Sequence, residues 1–314
     1  MSRLISDIGR FLAHKRSMGH AYAREEGFLR EISRLTKARQ DAFLSEAFAR
    51  EYLSHWTSAG RSNRLTVLRV LARFLVVDEP RTFVPPARFL GIRRRRPAIR
   101  VISRHQAGRF LTACDLLPEL RAHPTGLVQA MALRVLLMTG LRRCELLALR
   151  DEDVDIDAGI LTIRRGKFGK SRFVPIAADL IGRLRAYREA LSRATTAPRP
   201  TSPFFPGGQG KPLACTTLYR AFRRALTLAG IKHAGRGEGP RLHDLRHAFA
   251  VFRLLRWYET GADVRVKLPL LATYLGHVGL TSTQVYLHLT EDFAGELTKR
   301  LLDRFGDVIT QSAP

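Results

Sequence analysis

The chain has 314 residues, with 53 Lys and Arg against 28 Asp and Glu, a formal charge of +25 and a pI near 11.3. Hydrophobic residues make up 45% of it, which excludes a disordered basic tail and leaves room for two ordinary cores. Such an excess of one sign repels itself unless an anion neutralises it, so the expected partner is a nucleic acid. A membrane surface is the competing reading, and it fails because no amphipathic segment concentrates the charge and no apolar run reaches about 18 residues. Three cysteines, Cys114, Cys144 and Cys215, are far apart and show no C-x-x-C spacing. That argues against a disulfide framework or a zinc site and fits a reducing cytoplasm. The opening M-S-R-L-I-S-D-I-G-R lacks the apolar core of a signal peptide.

In chain order, the first segment reads as helices. Leu4, Ile5, Ile8, Phe11 and Leu12 recur at helical spacing. Further helices are expected over 21–35 and 42–56, then a turn at Ala59-Gly60-Arg61-Ser62-Asn63, then a helix over 65–74. Arg64, Arg69 and Arg73 on that last helix either track a DNA backbone or lie on a solvated face. Pro80, Pro85 and Pro86 end the helical run, and Gly91–Arg100 packs five Arg into ten residues, the composition of an extended basic linker.

Ser103 is placed to cap a helix, and Gly126–Met138 is apolar enough to be a buried one. Gly140 can end that helix with positive φ, which mounts Arg142 rigidly at a junction between two helices. Arg143 reads as a surface residue. Glu145 shares the Arg142 helix face, where a plain surface salt bridge is open to it. The period then drops to two: strands at 154–156 and 160–163, a basic turn over 165–172, and a strand over 173–176. Lys167 in that turn either contacts phosphate or gives a proton to a departing alkoxide. A helix is expected over 179–194. The G-G-Q-G-K of the following loop lacks the P-loop pattern, which excludes a nucleotide site there. A basic helix over 216–230 carries Arg220, Arg223 and Arg224.

The densest chemistry lies between Pro240 and Tyr286. P-R-L-H-D-L-R-H-A-F-A runs from Pro240 to Ala250, a linker is expected after it, and L-P-L-L-A-T-Y-L-G-H ends at His277. His243 and Arg246 are three apart and share a helix face. An Arg clamp, two imidazoles and a Tyr can surround one phosphate, with the Tyr oxygen as a nucleophile. His243 and His247 lack the spacing of a zinc pair, and His247 reads as a structural histidine.

These words together closely resemble the tyrosine recombinase, or phage integrase, family. T-G-L-R-R-C-E-L resembles its first Arg motif, G-K-F-G-K-S-R-F-V-P its β-hairpin, and H-D-L-R-H-A-F-A, L-G-H and the downstream Tyr its catalytic helix and nucleophile. The resemblance implies a mainly α fold with a small antiparallel β-sheet (α+β). It implies a helical core-binding, SAM-like domain over 1–90, a basic linker over 91–102 and a catalytic domain over 103–314. It implies six catalytic residues: Arg142 and Arg246 on the phosphate oxygens, Lys167 as proton donor to the leaving oxygen, His243 accepting the Tyr proton, His277 on the phosphate, and Tyr286 as nucleophile. No metal or cofactor is implied. The expected activity is site-specific recombination of double-stranded DNA through a 3′-phosphotyrosine, by a homo-tetramer or with related recombinases, in the cytoplasm at the nucleoid. A type IB topoisomerase and a non-catalytic DNA-binding accessory protein are the alternatives. Phe252–Pro269 is longer and more charged than in common members of the family. A helix over 291–305 is expected to pack on a neighbouring protomer or on its own domain.

Overall fold

The computed structural model describes residues 3–92, 99–118, 124–164, 171–194, 199–233, 238–277, 283 and 285–287. The backbone divides into two units, Met1–Pro97 and Ala98–Pro314, each with its own apolar core.

In the first unit, helical spacing of apolar residues builds four helices. α1 (Arg3–Ser17) buries Leu4, Ile8 and Phe11, and α2 (Ala23–Arg39) buries Leu29 and Ile32. α3 (Glu46–Ser54) starts at Ser45, whose side chain accepts from the Phe48 N–H at 3.1 Å. α4 (Ser58–Leu75) buries Leu65, Leu68, Leu71 and Leu75. The turn expected at 59–63 is therefore corrected: those residues lie inside α4. Tertiary burial overrides the local turn signal. Gly60 lets the Arg64 guanidinium lie close along the helix start, since a Cβ there would stand 3.3 Å from Arg64 NH1. Arg64 in turn lies over the Trp56 ring and pairs with Glu31 through two 2.8 Å bonds. Arg64 and Arg69 are thus not free to track DNA: the first is buried, and the second donates to the Pro85 carbonyl at 2.8 Å. Arg73 is exposed.

The second unit runs α5 (Arg104–Asp115), α6 (Thr125–Thr139), α7 (Arg143–Leu147), β1 (Val154–Asp155), β2 (Ile160–Ile163), β3 (Arg172–Pro175), α8 (Ala178–Ala194), α9 (Cys215–Leu228), α10 (Asp244–Glu259) and α11 (Val264–Leu275). It is mainly helical, with one antiparallel sheet of order β1-β2-β3. Ser103 and Gln106 form a reciprocal capping box at the start of α5. α6 is buried on nearly every side, through Val128, Ala132, Leu133 and Leu136. In the sheet Leu161 faces Val154 on one side and Val174 on the other, a row turned into the core.

The linker expected after Ala250 is also corrected. α10 continues to Glu259 because Val251, Leu254 and Leu255 extend its apolar face. α11 then starts at Asp263, whose carboxylate accepts from the Arg265 and Val266 amides, and it contains Pro269. Two tight helices replace a charged connection. Among the described residues no helix is long and apolar enough to cross a membrane.

Candidate active site

The site forms where α6 ends, α7 and α10 begin and α11 ends. Gly140 closes α6 with φ 64°, and a Cβ there would stand 2.6 Å from the Phe249 ring, so only glycine lets α10 pack against this turn. The next turn presents Arg142 as the residue capping α7. Its backbone N–H donates to Glu145 Oε2 at 2.9 Å, its guanidinium NH1 to Glu145 Oε1 at 2.7 Å, and NH2 to the Gly276 carbonyl at 2.7 Å.

Three consecutive carbonyls at the end of α11 each receive a different arginine. Tyr274 O accepts from Arg172 Nε at 2.8 Å, Leu275 O from Arg246 NH2 at 2.6 Å, and Gly276 O from Arg142 NH2. A helix C-terminus has unpaired carbonyls and a partial negative charge, so it orients these cations without neutralising them. Arg246 also donates through NH1 to the Gly140 carbonyl at 2.8 Å, tying the ends of α6 and α11 together. It is 2% exposed, and that desolvation, with Arg142 nearby, lowers its pKa to about 10. It stays charged at neutral pH. Each of these bonds uses one N–H of a guanidinium that carries five, so donors remain for an anion.

Glu145 is the carboxylate of the cluster. Arg172 NH1 and NH2 donate to its two oxygens at 3.0 and 2.9 Å, alongside Arg142. Burial pushes its pKa up, but the hydrogen bonds from Arg172 and Arg142 outweigh that and bring it to about 2. Arg172 escaped the sequence reading. The signal was present: Val174 points into the core, and period two puts Arg172 on the same face of β3.

Tyr286 is carried on a helical turn with Thr283 and is 2% exposed. Desolvation raises its pKa, opposed by the Arg246 guanidinium that borders it, so the phenol keeps its proton at neutral pH. Its hydroxyl lies 3.0 Å from His247 Nδ1. His277 follows the α11 cap and pairs its Nδ1 with Thr283 Oγ1 at 2.7 Å, its ring stacked 6.2 Å from that of Tyr286. Desolvation, then the charges of Arg246 and Arg142, lower the His277 pKa to about 4. His243 is exposed at the start of α10, with its ring edge-on to His247 at 4.8 Å. The protein behind its ring, then Arg246, lower its pKa.

Five of the six expected residues therefore converge: Arg142, His243, Arg246, His277 and Tyr286. Lys167 lies outside the described residues, as do Lys170 and the 291–305 segment. His247, read from sequence as structural, touches the hydroxyl instead. Arg220 and Arg224 are exposed on α9, whereas Arg223 is partly buried and reaches the His233 carbonyl at 3.5 Å. Among the described residues no group of three His, Cys, Asp or Glu is placed to hold a metal ion.

Comparison with known proteins gives a consistent result. A model of the phage integrase family matches residues 100–292. The chain is 33% identical to a Sinorhizobium fredii protein named as an integrase/recombinase, y4rB, over 98% of this chain and 99% of that one. It is 30% identical to the tyrosine recombinase XerD of Bradyrhizobium diazoefficiens, covering 95% of this chain and 88% of that one. Among solved structures it is similar to XerH site-specific recombinase bound to palindromic difH substrate, with TM-score 0.62, 19% identity and 95% of each chain covered. It is also similar to the Tn1549 transposon integrase in complex with transposon right end DNA, with TM-score 0.61, 17% identity, and 96% of this chain and 99% of that one covered.

Proposed function

We propose a mechanism from the premise that this chain belongs to the phage integrase family. It is a site-specific DNA recombinase that cleaves and rejoins strands. The Tyr286 oxygen attacks a backbone phosphorus as the bond to the 5′-oxygen breaks, leaving a 3′-phosphotyrosyl link and a free 5′-hydroxyl. Arg142 and Arg246 donate to the non-bridging oxygens, where negative charge grows in the transition state. His277 adds a hydrogen bond to the same phosphate. Lys167 supplies the proton for the departing 5′-oxygen, and an imidazole of α10 takes the phenol proton. The covalent link stores the energy of the broken bond, and attack by a 5′-hydroxyl of a second strand reverses the step.

The observation that carries this reading is Tyr286 buried against Arg246, beside arginines that, among the described residues, carbonyl dipoles and one carboxylate balance. We take the exposed Arg220 and Arg224 of α9 as contacts to the duplex, and Met1–Pro97 as a second DNA-binding unit. Exchange between two duplexes requires four cleavages, which a tetramer of this chain supplies. Native mass measurement of the complex on DNA tests that stoichiometry: four protomers on two duplexes are expected, and one protomer per duplex would favour a topoisomerase.

The chemistry is tested with DNA of the organism that encodes the chain, nicked at random and incubated with purified protein in EDTA. SDS-stable protein–DNA adducts are expected with the wild type and absent with Tyr286→Phe. Sequencing the recovered DNA gives the site, from which a nicked synthetic duplex follows. Tight binding with no adduct from the wild type would contradict the mechanism.

A further inference from the structure

α10 carries an imidazole to which the sequence assigns no chemistry. His247 stands one turn after His243, and its Nδ1 lies 3.0 Å from the Tyr286 hydroxyl. His243 is exposed, and among the described residues it makes no hydrogen bond to Tyr286. The other nitrogen of His247, Nε2, is 3.8 Å from Asp244 Oδ1. That is too long for a hydrogen bond, but it places a carboxylate where it pairs with the ring once the ring is protonated. Asp244 is 1% exposed and is fixed in turn by Arg241, whose backbone N–H, Nε and NH2 donate to it at 2.8, 3.1 and 2.7 Å. A carboxylate on the Nε2 side favours the proton there and leaves the Nδ1 lone pair facing the phenol.

We propose that His247 is the base that accepts the Tyr286 proton during cleavage and returns it during rejoining, with Asp244 fixing its tautomer. This rests on the phosphotyrosine reading above. In the forward step the Tyr286 O–H bond breaks, its proton passes to Nδ1, the Tyr286 oxygen bonds to phosphorus, and the 5′-oxygen leaves with a proton from Lys167. His247 ends as an imidazolium beside Asp244. In the reverse step it hands that proton back to the phenolate as it leaves.

The groups facing His247 are His243, Asp244 and Arg246 on its own helix, Arg241 just before it, and Tyr286 and His277 from beyond α11. Desolvation, then His243, lower its pKa to about 4, so it is neutral at physiological pH. A DNA phosphate seated against Arg142 and Arg246 offsets the positive charge around it and raises its basicity, which ties proton removal to substrate binding.

The test uses the full-length protein and the nicked duplex recovered as above, with covalent adduct formation timed across pH. Asparagine at 247 can still accept a hydrogen bond from the phenol but cannot take its proton. His247→Asn is expected to bind DNA like wild type and to form adduct about 10²–10⁴-fold more slowly, the usual scale of base catalysis. Its rate should climb through alkaline pH, where the wild-type rate is flat, because hydroxide must now remove the proton. Added imidazole should restore His247→Ala in proportion to its concentration, and this decides the matter if the Asn variant folds poorly. A wild-type rate and pH profile in His247→Asn, or no imidazole rescue of His247→Ala, overturns the assignment. Failure of the wild type itself to form adduct contradicts the phosphotyrosine reading instead.

Discussion

Each unit buries an arginine against a carboxylate, and the two arrangements end with different charge. In the first unit Arg64 meets Glu31 one to one, lies between the Trp56 and Phe28 rings, and the Tyr52 hydroxyl donates to the same carboxylate at 3.1 Å. In the second, Arg142 and Arg172 share Glu145, and Arg246 is held by the Gly140 and Leu275 carbonyls. Among the described residues, three guanidinium charges less one carboxylate leave two positive charges over. The first is a closed structural pair. The second is oriented by dipoles that cannot cancel it, so an anion must. Arg246, held by carbonyls, thus keeps a charge for a ligand, whereas Arg64, held by a carboxylate, does not.

The largest expected effect separates the two sites by chemistry. Arg246→Ala should slow adduct formation about 10²–10³-fold, the scale for losing one preorganised donor. Arg64→Ala should leave adduct formation per bound complex unchanged and instead cost about 3 kcal/mol of stability, as Glu31 loses its partner. Rate measurements on the nicked duplex and urea unfolding check both. If Arg64→Ala slowed cleavage as much as Arg246→Ala, the contrast would be wrong.

A double replacement sharpens the same contrast. Glu31→Leu with Arg64→Met removes both halves of the closed pair and should recover most of the stability lost by Arg64→Ala. Glu145→Leu with Arg172→Met should not recover cleavage, because Arg142 loses the carboxylate that aims it. Recovery in the second case would mean that Glu145 only balances charge.

Much of this was legible in the sequence. Arg142, His243, Arg246, His277 and Tyr286 sit in short words that resemble those of the family, and it was this resemblance that singled them out; local order adds that Arg142 and His243 stand at helix starts. The sequence missed what depends on distant packing. Arg172 reaches Glu145 and the Tyr274 carbonyl from a strand 102 residues before that carbonyl. His247 became a partner of Tyr286 only because the end of α11 returns the chain to α10. The segment 59–63 carries turn residues, but the stacking of Arg64 on Trp56 holds it helical. The segment after Ala250 was expected to be a linker, where Val251, Leu254 and Leu255 continue the apolar face of α10.

A smaller effect is expected at Gly276, where φ is 68° and a Cβ would stand 2.9 Å from Arg172 NH1. Gly276→Ala should cost about 1–2 kcal/mol for the left-handed backbone alone. It should also displace Arg172 and slow cleavage about tenfold, which is about 1.4 kcal/mol of lost transition-state stabilisation. Thermal unfolding and adduct rates report the two parts separately.

The smallest effect is a pH dependence of stability. Glu145 has its folded pKa lowered from 4.5 to about 2, so its contribution is fully present above about 4.5 and is lost as pH falls toward 2. The stability gap between wild type and Glu145→Gln should therefore be widest above pH 4.5 and shrink on acidification. A gap that widened instead would contradict the ion-pair account.

The most direct test of the central claim is to digest the SDS-stable adduct with protease and nuclease and sequence the linked peptide by mass spectrometry. The account predicts a nucleotide joined through its 3′-phosphate to the Tyr286 oxygen. A nucleotide on any other residue, or a link through a 5′-phosphate, would contradict it.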